Sequence, residues 1–192
     1  MRHSTLDVIR DEHQALAAML RSLQMLVAQS RREQRLPDFE LLRAMLFYID
    51  EFPERLHHPK ESALLFPRVA ARCPELAPLI QRLERDHADG EHAVRQLQHA
   101  LLAFEMMGEA RRAAFEQAAE RYVRGYLEHM AAEEQEILPA ARRAFTAAEW
   151  EPLDEAFSTN ADPLTGRHEP APDYQALFRR ILMRAPAPIG LG

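Results

Sequence analysis

Apolar residues recur at intervals of three and four along most of the chain, the spacing of one helical face rather than the alternation of a strand. The first such stretch runs from Leu6 to Ser30, with Ile9, Leu16, Leu20, Leu23 and Val27 as its stripe and Ser4 or Thr5 as its N-cap. It ends in the charged run Arg31 to Arg35 and at Pro37. The second begins near Asp38 and carries Leu42, Met45, Leu46, Ile49 and Leu56 toward Phe66. Pro53 and Pro59 each remove a backbone hydrogen bond from it, which predicts bends. The third spans Glu75 to Met106 and the fourth Glu109 to Phe145. Four long amphipathic segments with short connections predict an all-α fold, an antiparallel up-down four-helix bundle over residues 1–146. Residues 147–192 read as a C-terminal helical extension. It holds a short helix at Trp150 to Phe157, a loop at Ser158 to Pro172, an amphipathic helix at Tyr174 to Met183 and a frayed end at Ala185 to Gly192. Met19, Met25, Met45 and Met130 are expected as core filler. Leu177, Phe178, Ile181 and Leu182 must pack on this bundle or on a second copy, so a monomer and a homodimer are both open.

The chain also repeats itself. His57, Glu61, Phe66 and Pro67 follow the pattern HxxxExxxx(F/L)P, and His129, Glu133, Leu138 and Pro139 follow it again. Upstream, Arg10-Asp11-Glu12-His13 resembles Glu84-Arg85-Asp86-His87, and each lone histidine is followed at equal offsets by Arg, Leu and Gln: Arg21, Leu23, Gln24 and Arg95, Leu97, Gln98. This predicts two helical hairpins related by a pseudo-twofold axis. Each brings one histidine from its first helix and a histidine with a glutamate from its second.

Residues i and i+4 share a helical face, so His57 with Glu61 and His129 with Glu133 form two-ligand clips. If His13 and His87 face the same interior, the bundle encloses four imidazoles and two carboxylates. Two buried carboxylates with neutral imidazoles would cost several kcal/mol unless protons or cations balance them. A pair of divalent metals does so, with carboxylates and a solvent-derived oxygen able to bridge them. Nitrogen and oxygen donors without thiolates suit iron, with manganese or zinc as alternatives.

The rest of the composition removes other classes. The 192 residues are 47% hydrophobic and 28% charged, with no uncharged apolar run near the roughly 18 residues a membrane span needs. Asp7, Arg10, Asp11 and Glu12 stand where a signal peptide would be apolar, so a cytoplasmic location is expected. The single cysteine, Cys73, provides no disulfide, redox pair or thiolate metal site. A net charge of −6 gives no footprint for nucleic acid, and the six glycines form no phosphate-binding loop.

Around the clips, Glu91 lies one turn after His87. It is either a further ligand, gate or proton relay, or an exposed acid beside Arg95. Tyr126 and Glu54 stand one turn before His129 and His57, and either orient ligands or belong to the core. Gly125 either relaxes packing near the site or is simply tolerated. His58, His92, His99, His3 and His168 lack the repeat symmetry and are expected at the surface.

On these residues, and on the HHPKE and LFP segment from His57 to Pro67 in particular, the sequence resembles the hemerythrin-like, or HHE cation-binding, family over residues 4 to 165. The resemblance implies a non-haem di-iron centre, two iron ions with an oxo or hydroxo bridge, that interacts with dioxygen, nitric oxide or peroxide. It implies His13, His57, Glu61, His87, His129 and Glu133 as ligands, with the two glutamates bridging. The set is more similar to iron-centre repair proteins of that family than to its oxygen carriers, whose extra histidine and aspartate positions hold Glu91 and Glu134 here. The leading expectation is a binder or sensor of a small diatomic. The alternative is an iron-repair, iron-delivery or oxidant-reducing enzyme, whose electron donor would be a further partner. A metal-free helical interaction module is the third reading, and it would keep its stability without Glu61.

Overall fold

The apolar stripes draw four helical rods side by side in a computed structural model that describes residues 4–192; His3 lies outside the described residues. The first rod is α1 (Ser4–Arg32). The second comprises α2 (Phe39–Ile49), α3 (His58–Lys60) and α4 (Phe66–Arg72), linked by wider π-helical turns at Asp50–His57 and Glu61–Leu65. The third is α5 (Ala77–Met107). The fourth joins α6 (Arg112–Ala132) to α7 (Leu138–Ala144) through another π-helical turn, Glu133–Ile137. Helices α1 and α5 each pack against both α2 and α6, which closes the ring of an antiparallel bundle. Among the described residues no helix is long and apolar enough to cross a membrane.

The prolines act through these wide turns. A proline ring inside an α-helix clashes with the carbonyl four residues back. Before Pro67 and Pro139 the ladder slips by one residue: Phe66 N–H bonds to Glu61 O and Leu138 N–H to Glu133 O, five residues back. The region of Pro53, expected to bend, is likewise π-helical, and His58 N–H reaches Pro53 O. Both later wide turns start at the glutamate of a clip, so the repeated proline shapes the helix where the carboxylates enter the bundle.

The core is divided by polar residues. One apolar cluster holds Leu16, Leu20, Met45, Tyr48, Phe52, Val94, Phe115, Tyr126 and Met130. The other holds Ile9, Leu65, Phe66, Leu83, Ile137, Leu138, Trp150 and Phe157. On every rod the chain passes from one cluster to the other through the candidate ligands: His13 between Ile9 and Leu16, His57 and Glu61 between Phe52 and Leu65, His87 between Leu83 and Val94, and His129 and Glu133 between Tyr126 and Ile137.

The C-terminal segments cover this bundle. Helix α8 (Ala147–Ser158) lies on α1, and its Asp154 accepts bonds from Thr5 N–H (2.8 Å) and Thr5 Oγ1 (2.7 Å), capping α1 from a distance. Helix α9 (Gln175–Arg184) lies on α2, with Phe178 and Ile181 fully enclosed beside Tyr48 and Phe52. The last residues are anchored rather than frayed: Ser22 Oγ donates to Pro186 O at 2.7 Å and accepts from Ile189 N–H at 3.1 Å. Met25, expected in the core, is 49% exposed, because the stripe of α1 turns its neighbours inward and leaves it outside.

Between α8 and α9 the buried Asp162 accepts a 2.6 Å bond from Tyr48 O–H. Burial outweighs that bond and the one from Leu164 N–H, and raises the Asp162 carboxyl from 3.8 to about 6. A folded-state pKa above the unfolded one means that stability falls as pH rises through that window. The charge then costs roughly 3 kcal/mol, at about 1.4 kcal/mol per tenfold change in proton affinity. Asp162→Asn is therefore expected to stabilise the protein by one to a few kcal/mol above pH 6, and to have no such effect below about pH 4, in urea unfolding at the two pH values.

Candidate metal centre

Six side chains expected from the repeat meet in the polar layer. His13 Nε2 lies 3.3 Å from Glu133 Oε2, His57 Nε2 3.1 Å from Glu61 Oε2 and His129 Nε2 3.2 Å from Glu133 Oε1. His87 Nε2 sits 3.6 Å from Glu61, 3.7 Å from Glu133 and 3.0 Å from His129 Nε2. Both glutamates are fully buried. His13, His57, Glu61 and Glu133 offer donor atoms within 4.8 Å of one another, as do His58, His87 and His129 in a second group.

The outward nitrogens explain why Nε2 points inward. His57 Nδ1–H donates to Glu12 at 2.6 Å and His129 Nδ1–H to Asp86 at 3.3 Å. His13 Nδ1–H donates to Glu134 at 3.1 Å, and His87 Nδ1 meets Ser62 Oγ at 2.9 Å. A carboxylate only accepts, so it fixes the proton on Nδ1 and leaves the Nε2 lone pair for the centre. These partners obey the repeat. The residue before each lone histidine, Glu12 or Asp86, orients the clip histidine of its own hairpin. The residue after each clip glutamate, Ser62 or Glu134, orients the lone histidine of the other hairpin.

Electrostatics separate the six. Burial alone would depress His13, but Glu133 and Glu134 outweigh it and hold the imidazole at about 9. Burial likewise opposes the rise of His57, which Glu61 and Glu12 carry well above its ordinary value, and that of His129, which Glu133 drives. His87 falls to about 2 through burial and the neighbouring His58 and His129. Burial and Glu133 raise Glu61, whereas Glu133 itself is held far down, against burial, by His129 and His13. Without a cation, the carboxylates favour a second proton on His13, His57 and His129, at the Nε2 that a bound metal ion would otherwise occupy.

The donor set fits cations for a further reason. Both carboxylate oxygens of Glu61, both of Glu133 and His57 Nε2 are buried and make no well-aligned hydrogen bond; their nearest polar neighbours are one another and the other inward imidazoles, at 3.1–3.3 Å. An unpaired buried polar atom costs on the order of 1–3 kcal/mol. Two imidazole Nε2 atoms 3.0 Å apart, at His87 and His129, also need a proton or a cation between them. Metal ions at the two groups would satisfy these atoms together.

His58 corrects the sequence reading: it is buried, not at the surface. Its ring stacks on His87 with centroids 4.0 Å apart. Its Nδ1 lies 3.1 Å from Glu54 Oε2 and its Nε2 3.0 Å from the Tyr126 hydroxyl oxygen, so both nitrogens have protein partners. Glu54 and Tyr126 thus orient His58 rather than His57 or His129. Burial pushes the Glu54 carboxyl up to about 7, against the Tyr126 and Tyr122 hydroxyls. His58 has no repeat partner, since Met130 occupies the equivalent position, and only its place in HHPKE marked it. Glu91 stands outside the centre, exposed and paired with Arg95. His92, His99 and His168 are exposed as expected.

The hemerythrin HHE cation binding domain matches residues 4–141, which include all six converging side chains. No curated protein matches the chain.

Glu12→Gln leaves a partner for His57 but no longer dictates which nitrogen carries the proton. Metal affinity measured by chelator competition is expected to fall by about 10- to 100-fold, while α-helical circular dichroism is unchanged.

Proposed function

The chain belongs to the hemerythrin HHE cation-binding family, and on that footing we propose that it holds two iron ions in the polar layer and binds or senses dioxygen, nitric oxide or a related oxidant there. The observation that carries the reading is the convergence of unpartnered Glu61 and Glu133 oxygens with inward Nε2 atoms from all four rods. His13 and His57 would hold one ion and His87 and His129 the other, with Glu61 and Glu133 shared. Bound iron would supply an open coordination position and a change of oxidation state.

The chain's own residues do the rest. Glu12, Asp86, Ser62 and Glu134 hold the imidazoles in register. The two apolar clusters exclude water from above and below the layer. A cavity of about 10 Å³, against His13, His57 and His58 and walled by Leu16, Phe52 and Met130, has room for one water-sized molecule. That size and lining suit a diatomic molecule better than an organic substrate.

Protein loaded anaerobically with iron(II) is expected to contain two irons per chain and to develop an oxygen-dependent charge-transfer band that reverses on removal of the gas. Irreversible bleaching with iron release would instead favour delivery or repair. Glu61→Ala is expected to lose stoichiometric iron and the rise in Tm that iron confers. A metal-free helical module would show no change in either.

A further inference from the structure

The hydrogen bonds around the centre obey the repeat, but their surroundings do not. Glu12, on His57, has a side chain only 9% exposed. Asn160 Nδ2 donates to it at 3.0 Å, and Lys60 Nζ holds Asn160 while also donating to Ala156 O at 2.9 Å and Thr159 Oγ1 at 3.0 Å. Lys60 and the end of α8 therefore cover the outer side of Glu12. Its counterpart Asp86, on His129, is 45% exposed. It stands with Asp89 and Arg121 at the mouth of a cleft of about 210 Å³ between α5 and α6, which reaches His58 and His129. Two glycines shape the cleft. A Cβ on Gly90 would lie 2.6 Å from Glu54 Oε2 and force that carboxyl to shift, and a Cβ on Gly125 would meet nothing within 4 Å. No side chain from Gly125 covers the gap.

We infer that the two cation positions are kinetically inequivalent. At the position of His13 and His57, Glu12, Asn160 and Lys60 cover the His57 side; Glu134 on His13 is 43% exposed, but the cavity against these two histidines has room for only one water-sized molecule. The position at His87 and His129 exchanges its metal ion through the cleft beside Gly125. This rests on the two-metal reading above and extends it: a divalent cation leaves and enters one side of the bundle while the other ion is retained. Asp86 is the positioning residue at that door. It orients His129 and is itself reachable from solvent, whereas Glu12 is not.

The test is metal release from the full chain loaded anaerobically with iron(II) and mixed with excess colorimetric iron(II) chelator. The unmodified protein is expected to release its two irons in a fast and a slow phase of equal amplitude. Gly125→Leu, which introduces a side chain into open space, should keep both irons and raise Tm, since glycine is a poor helix former, while its fast phase collapses toward the slow one. Asn160→Ala should leave the fast phase unchanged and speed the slow one by about tenfold, as loss of an outer hydrogen-bond partner does. Two irons released with one rate constant, or a fast phase unaltered by Gly125→Leu, would overturn the inference and leave the two-metal reading standing. A chain that takes up no iron would remove both.

Discussion

Placing two carboxylates and four imidazoles in the middle of a helical bundle is the constraint on which the rest of this structure depends. Such a layer displaces apolar contacts that would otherwise run the length of the core, and here it divides the core into two clusters. Its charges must be balanced inside a medium that solvates them poorly. Neighbouring carboxylates outweigh burial and push His13, His57 and His129 up, while burial and the adjacent His58 and His129 push His87 down. The glutamate oxygens nevertheless make no well-aligned hydrogen bond. A fold that leaves these acceptors unpaired at one point is organised around cations, and the apolar clusters fix the rods that bring them there.

Rigidity of the layer comes from outside it. Each inward nitrogen is set by a partner on the opposite side of its ring, and those partners derive from the same duplication as the ligands. Proline contributes as well: by forcing five-residue backbone spacing after Glu61 and Glu133, it shapes the helix as each carboxylate enters the core. The C-terminal segments add what the duplication lacks. Asn160 and Lys60 cover Glu12, Asp162 ties the loop to Tyr48, and α9 completes the cluster around Tyr48 and Phe52. The symmetry of the ligands is thereby broken by their surroundings.

Much of this was legible in the chain itself. The 3.6-residue periodicity marked the rods, and the doubled HxxxE with matching lone histidines marked the side chains that meet. The orienting residues Glu12 and Asp86 were missed, because the sequence pointed to Tyr126 and Glu54 for that role and only the fold shows which histidine each residue faces. His58 escaped because its role is asymmetric, and a search for repeats discounts an unmatched residue. The π-helical turns escaped because a proline signals only a lost hydrogen bond, not whether the helix bends or widens. The anchoring of Ala185 to Gly192 escaped because Pro- and Gly-rich composition says nothing of a distant Ser22 hydroxyl.

The central claim is that the orphaned acceptors of the polar layer exist to hold a pair of metal ions. Its most direct test is a crystal of the iron-loaded protein with anomalous diffraction collected at the iron edge. The account predicts two peaks roughly 3.5–4 Å apart, the separation of paired metal sites, one within bonding distance of His13 and His57 and the other of His87 and His129, with Glu61 and Glu133 between them. A layer with no anomalous density, its carboxylates instead hydrogen-bonded to water or to protonated histidines, would contradict it.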